Sequence, residues 1–504
     1  MLSHSQAVEL IIPSSSQKGQ LRCYVTMRRL GNLFRHKTDV LKVIAVFLLL
    51  VTATAVVRAD DLDDYIKVEM HRKRIPGLSI AIVREGKVVR AKGYGSANIE
   101  LSSPATENTI YQIGSITKQF TATLIMMLAA DGKIGLDNRI VDRLPKLPTA
   151  WGAVTIRHLL THTSGIKDYT EAKGFDQKRR LDSTRAELLD LVVEEPLQFP
   201  PGEQWQYCNT NYLLLGMLIE EITGKEYAQF LAERILQPLG MGHTRVNDPQ
   251  ALIPNRAQGY IRIARSVQNA QYFSPLNAFG AGDLISTVGD LAKWDATLYT
   301  EKLLKSSSFQ EMWTPVALRK GETAEYGFGW DVKSENGHRL LSHGGNITGF
   351  SSGILRFVDD KLTVIVLTNF GGINAERIAL GIAGQVQPEL GKKEELPIAD
   401  RDSKTTERLK RVFARMMNGD MDHELFSERL NKELGPLISQ GREQAKEFNS
   451  EIGPLEKFEL LERKATNEGL QLRYRAIFEY QKMIVHISLD NASKITNWGV
   501  RGVP

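Results

Sequence analysis

A serine and a lysine stand three residues apart in Ser115-Ile116-Thr117-Lys118. They open an apolar run that continues through Phe120, Leu124, Ile125, Met126, Met127 and Leu128. Three residues is nearly one helical turn, so the two side chains share a face. At a helix start the unpaired N–H groups and the helix dipole favour negative charge, and Gly114 just before allows close approach. A hydroxyl there can be deprotonated by a neighbouring base, and a lysine buried by the apolar run can be neutral enough to help. That is the chemistry of a serine nucleophile. Alone, Ser-x-x-Lys occurs by chance and reads as a capping serine beside a surface lysine. The apolar run that would bury Lys118 is what raises it above that reading.

Two further patterns matter beside it. In Tyr207-Cys208-Asn209 the phenol and the amide sit two residues apart and point the same way on an extended or looped segment. The phenol can relay a proton between Ser115, Lys118 and a leaving group, and the amide can hydrogen-bond a substrate carbonyl. In His343-Gly344-Gly345, two glycines between expected strands would let a substrate backbone lie against an edge strand. Taken singly, the first is a packed loop tyrosine and the second a plain turn.

Jointly, in this order and spacing, the three resemble the active-site motifs of the serine β-lactamase and penicillin-binding-protein superfamily. The nearest likeness is to the class C β-lactamase-like branch, which includes D-alanyl-D-alanine carboxypeptidases, D-aminopeptidases and esterases. Other stretches share it, among them Thr161-His162-Thr163-Ser164-Gly165, Ala281-Gly282-Asp283-Leu284 and Tyr326-Gly327-Phe328-Gly329-Trp330. The resemblance covers roughly residues 62–390. It implies Ser115 as acylated nucleophile, Lys118 and Tyr207 sharing acid and base work, and Asn209, His343 and Gly345 binding substrate. It also implies an oxyanion hole from the N–H groups of Ser115 and Asn346. His343 stands where true β-lactamases of this branch carry lysine, which favours a peptidase or esterase. No cofactor and no metal are implied. The substrate is expected among small peptides, β-lactams and short esters; the alternative is a non-catalytic peptide- or wall-binding module.

The elements that must position these residues follow from patterning. A helix is expected over 62–74, ended by Pro76-Gly77, then strands at 78–83 and 87–91 around Arg84-Glu85-Gly86. A buried helix runs from Ser115 to Ala130 and stops at Asp131-Gly132. Residues 140–300 are helix-rich, and strands return at 353–358 and 363–368. This predicts an α+β fold: an antiparallel sheet assembled from both chain ends, flanked by helices, with a helical subdomain. The resemblance makes it β-lactamase/transpeptidase-like over 60–390. A charged linker is expected at 391–402. Beyond it, Leu409, Val412, Phe413 and Met416 mark a helix face, and strict alternation from Leu470 to Phe478 and Met483 to Leu489 marks strands. So 403–504 is expected to be a small α+β domain, faintly similar to cystatin/NTF2-like appendages. Every motif residue precedes it, so it is expected to be dispensable for acylation.

Composition sets the limits. The chain has 504 residues, 42% hydrophobic and 24% charged, which suits a large globular protein and excludes collagen, low-complexity disorder and coiled coil. Its two cysteines, Cys23 and Cys208, exclude a disulfide scaffold and a cysteine zinc cluster. The net charge of +5 misleads until located: residues 1–59 hold eight basic and two acidic side chains, leaving the body at −1. Nothing there favours nucleic acid. Residues 43–57 carry no charge and lie between Lys42 and Arg58. They are too short for a bilayer span and fit a signal-peptide core, so 1–59 reads as a leader, with an exported chain starting near Asp60 and no stable membrane span after cleavage. His158 and His162 have the four-residue spacing of zinc ligands, but Leu159 replaces the glutamate of His-Glu-x-x-His, and structural histidines are expected.

Overall fold

A two-residue turn, Glu85-Gly86, folds the chain back between β1 (Gly77–Arg84) and β2 (Lys87–Asn98). Both turn residues have positive φ, 52° and 73°, the type I′ geometry that matches strand twist. In the computed structural model, residues 59–503 are described, apart from 264–265 and 392–394. The expected signal core at 43–57, its basic flank and Cys23 lie outside the described residues. Before β1 runs α1 (Ala59–Lys73), and after β2 the short β3 (Ser103–Pro104).

The chain then leaves the sheet for a helical layer built on α2 (Thr117–Ala130) and α3 (Asn209–Thr223), and returns through α4 (Val288–Thr297). Four strands follow: β4 (Asp331–Glu335), β5 (His338–Ile347), β6 (Phe350–Phe357) and β7 (Leu362–Thr368). The seven strands form one antiparallel sheet in the order β4-β5-β6-β7-β1-β2-β3, so the first strand pairs with the last. Helix α5 (Ala375–Val386) closes this part.

Strand alternation explains why β1 and β7 are apolar throughout. Leu78, Ile80, Ile82, Val364 and Val366 face α1 and α5, meeting Ile66, Met70, Ile378 and Ile382. Ala81, Val83, Ile365 and Leu367 face the other way, onto Leu291 and Trp294 of α4 and the helical layer. Each fully buried aliphatic side chain contributes roughly 1.5–3 kcal/mol, so the sheet centre is held from both faces. A helix inside the second layer is buried all round, and α2 is buried from Thr117 to Leu128, mostly through apolar residues such as Phe120, Leu124, Ile125 and Leu128.

The last hundred residues have their own core. Helices α6 (Ser403–Met416), α7 (Glu428–Gln440) and α8 (Arg442–Ile452) precede a four-stranded antiparallel meander: β8 (Leu455–Thr466), β9 (Gly469–Phe478), β10 (Lys482–Leu489) and β11 (Ile495–Val503). Leu409, Val412 and Phe413 pack on Tyr474, Ala476, Phe478 and Val485. The stretch 395–402 has no regular structure. It is nonetheless tied to β8, where the Ile398 N–H donates to the Leu460 carbonyl (2.8 Å). Among the described residues, no helix is long and apolar enough to cross a membrane.

Candidate active site

Ser115 sits in a 3-10 turn, Gly114–Ile116, that runs directly into α2. The sequence places the helix start at Ser115; the structure puts a tighter turn there and begins the α-helix two residues later. Gly114 has φ of +52°, and a Cβ on it would lie 3.0 Å from the Asn346 nitrogen. The turn is braced from both sides. The Ile113 N–H donates to the Leu284 carbonyl (3.0 Å), and the Ser352 hydroxyl donates to the Ile113 carbonyl (2.7 Å).

Lys118 is fully buried. Its Nζ donates to Ser115 Oγ (3.1 Å), Asn209 Oδ1 (2.9 Å) and the Ala281 carbonyl (2.8 Å). Two of these partners can only accept. A neutral amine that gives its two N–H groups to them presents its lone pair to the Ser115 hydroxyl. Burial pulls Lys118 down to about 7, with the charges of Asp168 and Cys208 working against the shift. The Tyr326-Gly327-Phe328-Gly329-Trp330 loop supports the lysine from behind: a Cβ on Gly329 would lie 2.7 Å from the Lys118 carbonyl.

Tyr207 and Asn209 both reach this lysine. Nζ lies 4.7 Å from the Tyr207 ring centroid. Burial pushes the Tyr207 phenol far up, partly countered by its hydrogen bond with Ser115. Cys208 between them is extended, and Asn209 is the first residue of α3. The Cys208 thiol turns away to the Ile166 carbonyl, and burial pushes it up to about 12. Asn209 is fixed by a residue the sequence reading missed. Asp168, buried, accepts from both the backbone N–H (2.8 Å) and Nδ2 (2.9 Å) of Asn209. That leaves the amide oxygen aimed at Lys118.

The third motif divides in two. A Cβ on Gly345 would lie 1.9 Å from the Ile113 carbonyl, so only glycine lets β5 approach the Ser115 turn. The hairpin turn Thr348-Gly349 fixes the register: Ile347 faces Phe350 and Gly345 faces Ser352. Alternation then turns the Asn346 N–H outward, past the end of β4 and towards the cleft. His343, read from the sequence as substrate-binding, lies instead behind the cleft wall. Its Nδ1–H donates to the Gly344 carbonyl (2.6 Å), and its Nε2 accepts from the Tyr326 hydroxyl (2.9 Å). Those partners select the neutral tautomer, and burial pulls the ring down to about 4. Tyr326, seventeen residues earlier, carried no signal beyond its glycine-flanked motif.

The two histidines weighed as a zinc pair do not share a helix face. The helix Ile156–Leu160 ends before His162, which has φ of +58°. His158 closes a capping box with Thr155. His162 accepts at Nδ1 from the Cys208 N–H (3.2 Å) and lies among the rings of Tyr207, Tyr212 and Tyr326.

Ser115, Asn209 and Asn346 open onto a cleft of about 970 Å³. Among the described residues it is lined by Arg72, Lys73, Arg179, Arg262 and Arg377 and by no acidic side chain. Tyr480 and Gln481, in the turn between β9 and β10, also line it.

A family model described as "Beta-lactamase" matches residues 62–385. Penicillin-binding protein 4* of Bacillus subtilis is 33% identical over 301 residues, 56% of this chain; the match spans 66% of that relative's length, just under two thirds. Among solved structures, the octameric penicillin-binding protein homologue from Pyrococcus abyssi superposes with a TM-score of 0.61 at 26% identity, covering 88% of this chain and 96% of that one. A D-amino acid amidase from Ochrobactrum anthropi SV3, complexed with L-phenylalanine, gives 0.57 at 26% identity, covering 65% and 98%.

Proposed function

The chain belongs to the beta-lactamase family, and from that premise we propose that it is a serine hydrolase cleaving amide or ester bonds through an acyl-enzyme on Ser115. The observation that carries the reading is the buried Lys118 amine, 3.1 Å from the Ser115 hydroxyl and tuned to about 7. In its neutral form Lys118 takes the Ser115 proton as Oγ attacks the carbonyl carbon. The carbonyl oxygen gains the negative charge and is held by the N–H groups of Ser115 and Asn346. Tyr207 passes the proton to the leaving nitrogen or oxygen, and the C–N or C–O bond breaks. Water then attacks the ester by the reverse path, regenerating Ser115 and releasing the acid. Asn209 orients the acyl group while Asp168 holds the amide. His343 is a neutral positioning residue that fixes Tyr326 beside Tyr207.

The cleft's cationic lining, in which Arg72 and Lys73 also pair with Glu69 and Arg179 with Asp176, supports substrates with a carboxylate end, such as D-amino-acid peptides or β-lactams. Mass spectrometry after trapping with a slow acyl donor should place the adduct on the peptide containing Ser115. An adduct elsewhere, or full turnover in Ser115→Ala, overturns the mechanism.

The hydrolase domain is taken as 60–390, the linker as 391–402 and the appended domain as 403–504. Export is part of the same proposal: the basic stretch and the apolar run 43–57 support a cleaved leader. N-terminal sequencing of secreted material should begin near Asp60. A cytosolic protein starting at Met1 would refute it.

A further inference from the structure

The C-terminal meander would be a bystander if the motifs were the whole site. The turn between β9 and β10 enters the same cleft as Ser115: Tyr480 and Gln481 line it together with Ser115, Asn209 and Asn346. They are half-buried, so each keeps a face towards the cleft.

The turn is pinned from two domains. On its own side, the Tyr480 N–H donates to the Ile452 carbonyl (2.9 Å) and the Phe478 N–H to the Gln481 carbonyl (2.8 Å). Gly453, at φ of +79°, makes room for it; a Cβ there would lie 2.7 Å from the Glu479 Cβ. From the catalytic side, the Tyr480 ring is met by the end of α1. The Arg74 guanidinium carbon lies 4.6 Å from the ring centroid, and the His71 ring lies at 5.9 Å. Arg74 reaches the ring because α1 ends there in a left-handed residue, with φ of 55°.

Behind the turn lies a second cavity of about 1010 Å³, between α1, α5 and the meander. The two cavities share Arg72, Lys73, Asn374, Arg377, Tyr480 and Gln481 as common wall. The turn is thus part of the septum between two cavities of similar size, one of which is lined by Ser115.

We propose that the Tyr480-Gln481 turn sets substrate length: it ends the cleft, so the site takes short acyl donors and refuses long chains. This rests on the reading of Ser115 as nucleophile. The appended domain is then dispensable for acylation, as the motif order predicts, and required for selectivity. A side chain that touches substrate from this turn acts on KM for long substrates and leaves kcat for short ones alone.

The test is a matched series with one leaving group, from an N-acetyl amino acid ester to hexapeptide esters. It is run on the full-length protein, on Tyr480→Ala/Gln481→Ala and on Tyr480→Phe. The double variant should raise kcat/KM for the longest substrate at least tenfold relative to the shortest, through KM, while the short ester stays within about threefold. Tyr480→Phe keeps the ring and should behave as wild type. An unchanged ratio, or an equal loss on all substrates, overturns the proposal. If the double variant does not fold, the wild-type series decides: a sharp fall beyond a set length supports the septum, and a flat profile overturns it. Fluorophosphonate labelling is run alongside. A wild type that does not label at Ser115 overturns the nucleophile reading and this inference with it, whereas a labelled protein with no length preference overturns this inference alone.

Discussion

Lys118 and Arg356 are both fully buried basic side chains, and the protein treats them in opposite ways. Lys118 is given neutral acceptors: a hydroxyl, an amide oxygen and a backbone carbonyl. The nearest carboxylate, Asp168, stands one side chain away, behind Asn209. Arg356 on β6 donates from Nε directly to Asp295 of α4, and Thr363 donates to the same oxygen (2.8 Å). Around it the rings of Tyr299, Trp313 and Trp330 lie 4.6, 5.1 and 5.8 Å from the guanidinium carbon. An ion partner and aromatic faces keep a charge in place. Neutral acceptors leave it adjustable, and burial pulls Lys118 down to about 7. The same cost of desolvation thus builds a structural strut in one place and a base in the other.

The largest way to break this contrast is to remove the adjustable cation. Lys118→Ala should lower kcat by about 10³–10⁶-fold, and Ser115→Ala/Lys118→Ala should lose little more, because residues acting as a unit are not additive. Lys118→Arg sharpens the point, since an arginine carries its charge permanently and cannot accept the serine proton. Steady-state turnover with circular dichroism as a folding check decides it. An arginine variant that keeps a tenth of wild-type activity would show that charge, not basicity, is what the site needs.

The strut should fail in stability instead. Arg356→Leu leaves Asp295 buried beside Thr363 without its cation and should cost about 3–5 kcal/mol in urea unfolding. Replacing both partners, Arg356→Leu/Asp295→Leu, should recover most of that loss, because neither charge then needs desolvation. A single variant that costs under about 1 kcal/mol would mean that the aromatic faces, not the carboxylate, hold the position.

The smallest effect is in pH. Below about 7 the lysine is protonated and cannot take the serine proton, so kcat/KM should rise about tenfold per pH unit up to that point and then level. Asp168 favours the charged form, so Asp168→Asn should move this limb to lower pH. Arg356→Leu should not move it at all. A limb near 4 would instead assign the titration to His343, whose ring burial pulls down to about that value.

These residues also mark how far the sequence can be read. The β-rich runs of β1 and β7 and the one-turn spacing of Ser115 and Lys118 are local signals, and the structure follows them. Asp168 is invisible because its partner Asn209 is 41 residues away and only the fold joins them. Arg356 hides for another reason. A charged residue inside Gly353-Ile354-Leu355-Arg356-Phe357 reads as a surface position, and only the packing of α4 supplies its acceptor. His343 was legible as a residue type but not as a tautomer, because Tyr326 had first to be placed against its ring. The Tyr480 turn follows the linker and shares no motif with the catalytic set, so nothing along the chain ties it to Ser115.

The pairing of β1 with β7 sets a timetable for biosynthesis. Leu78 lies opposite Thr368, so the middle of the sheet joins segments about 290 residues apart. At translation rates of roughly 5–20 residues per second, β1 waits on the order of 15–60 s for its neighbour to emerge. Throughout that interval the amino-terminal third has no sheet to join on that edge, and its apolar strand stays uncovered. Until its partner arrives, such an uncovered apolar strand is an aggregation hazard. The topology thus makes closing the middle of the sheet one of the last events of folding, possible only once β7 has been made.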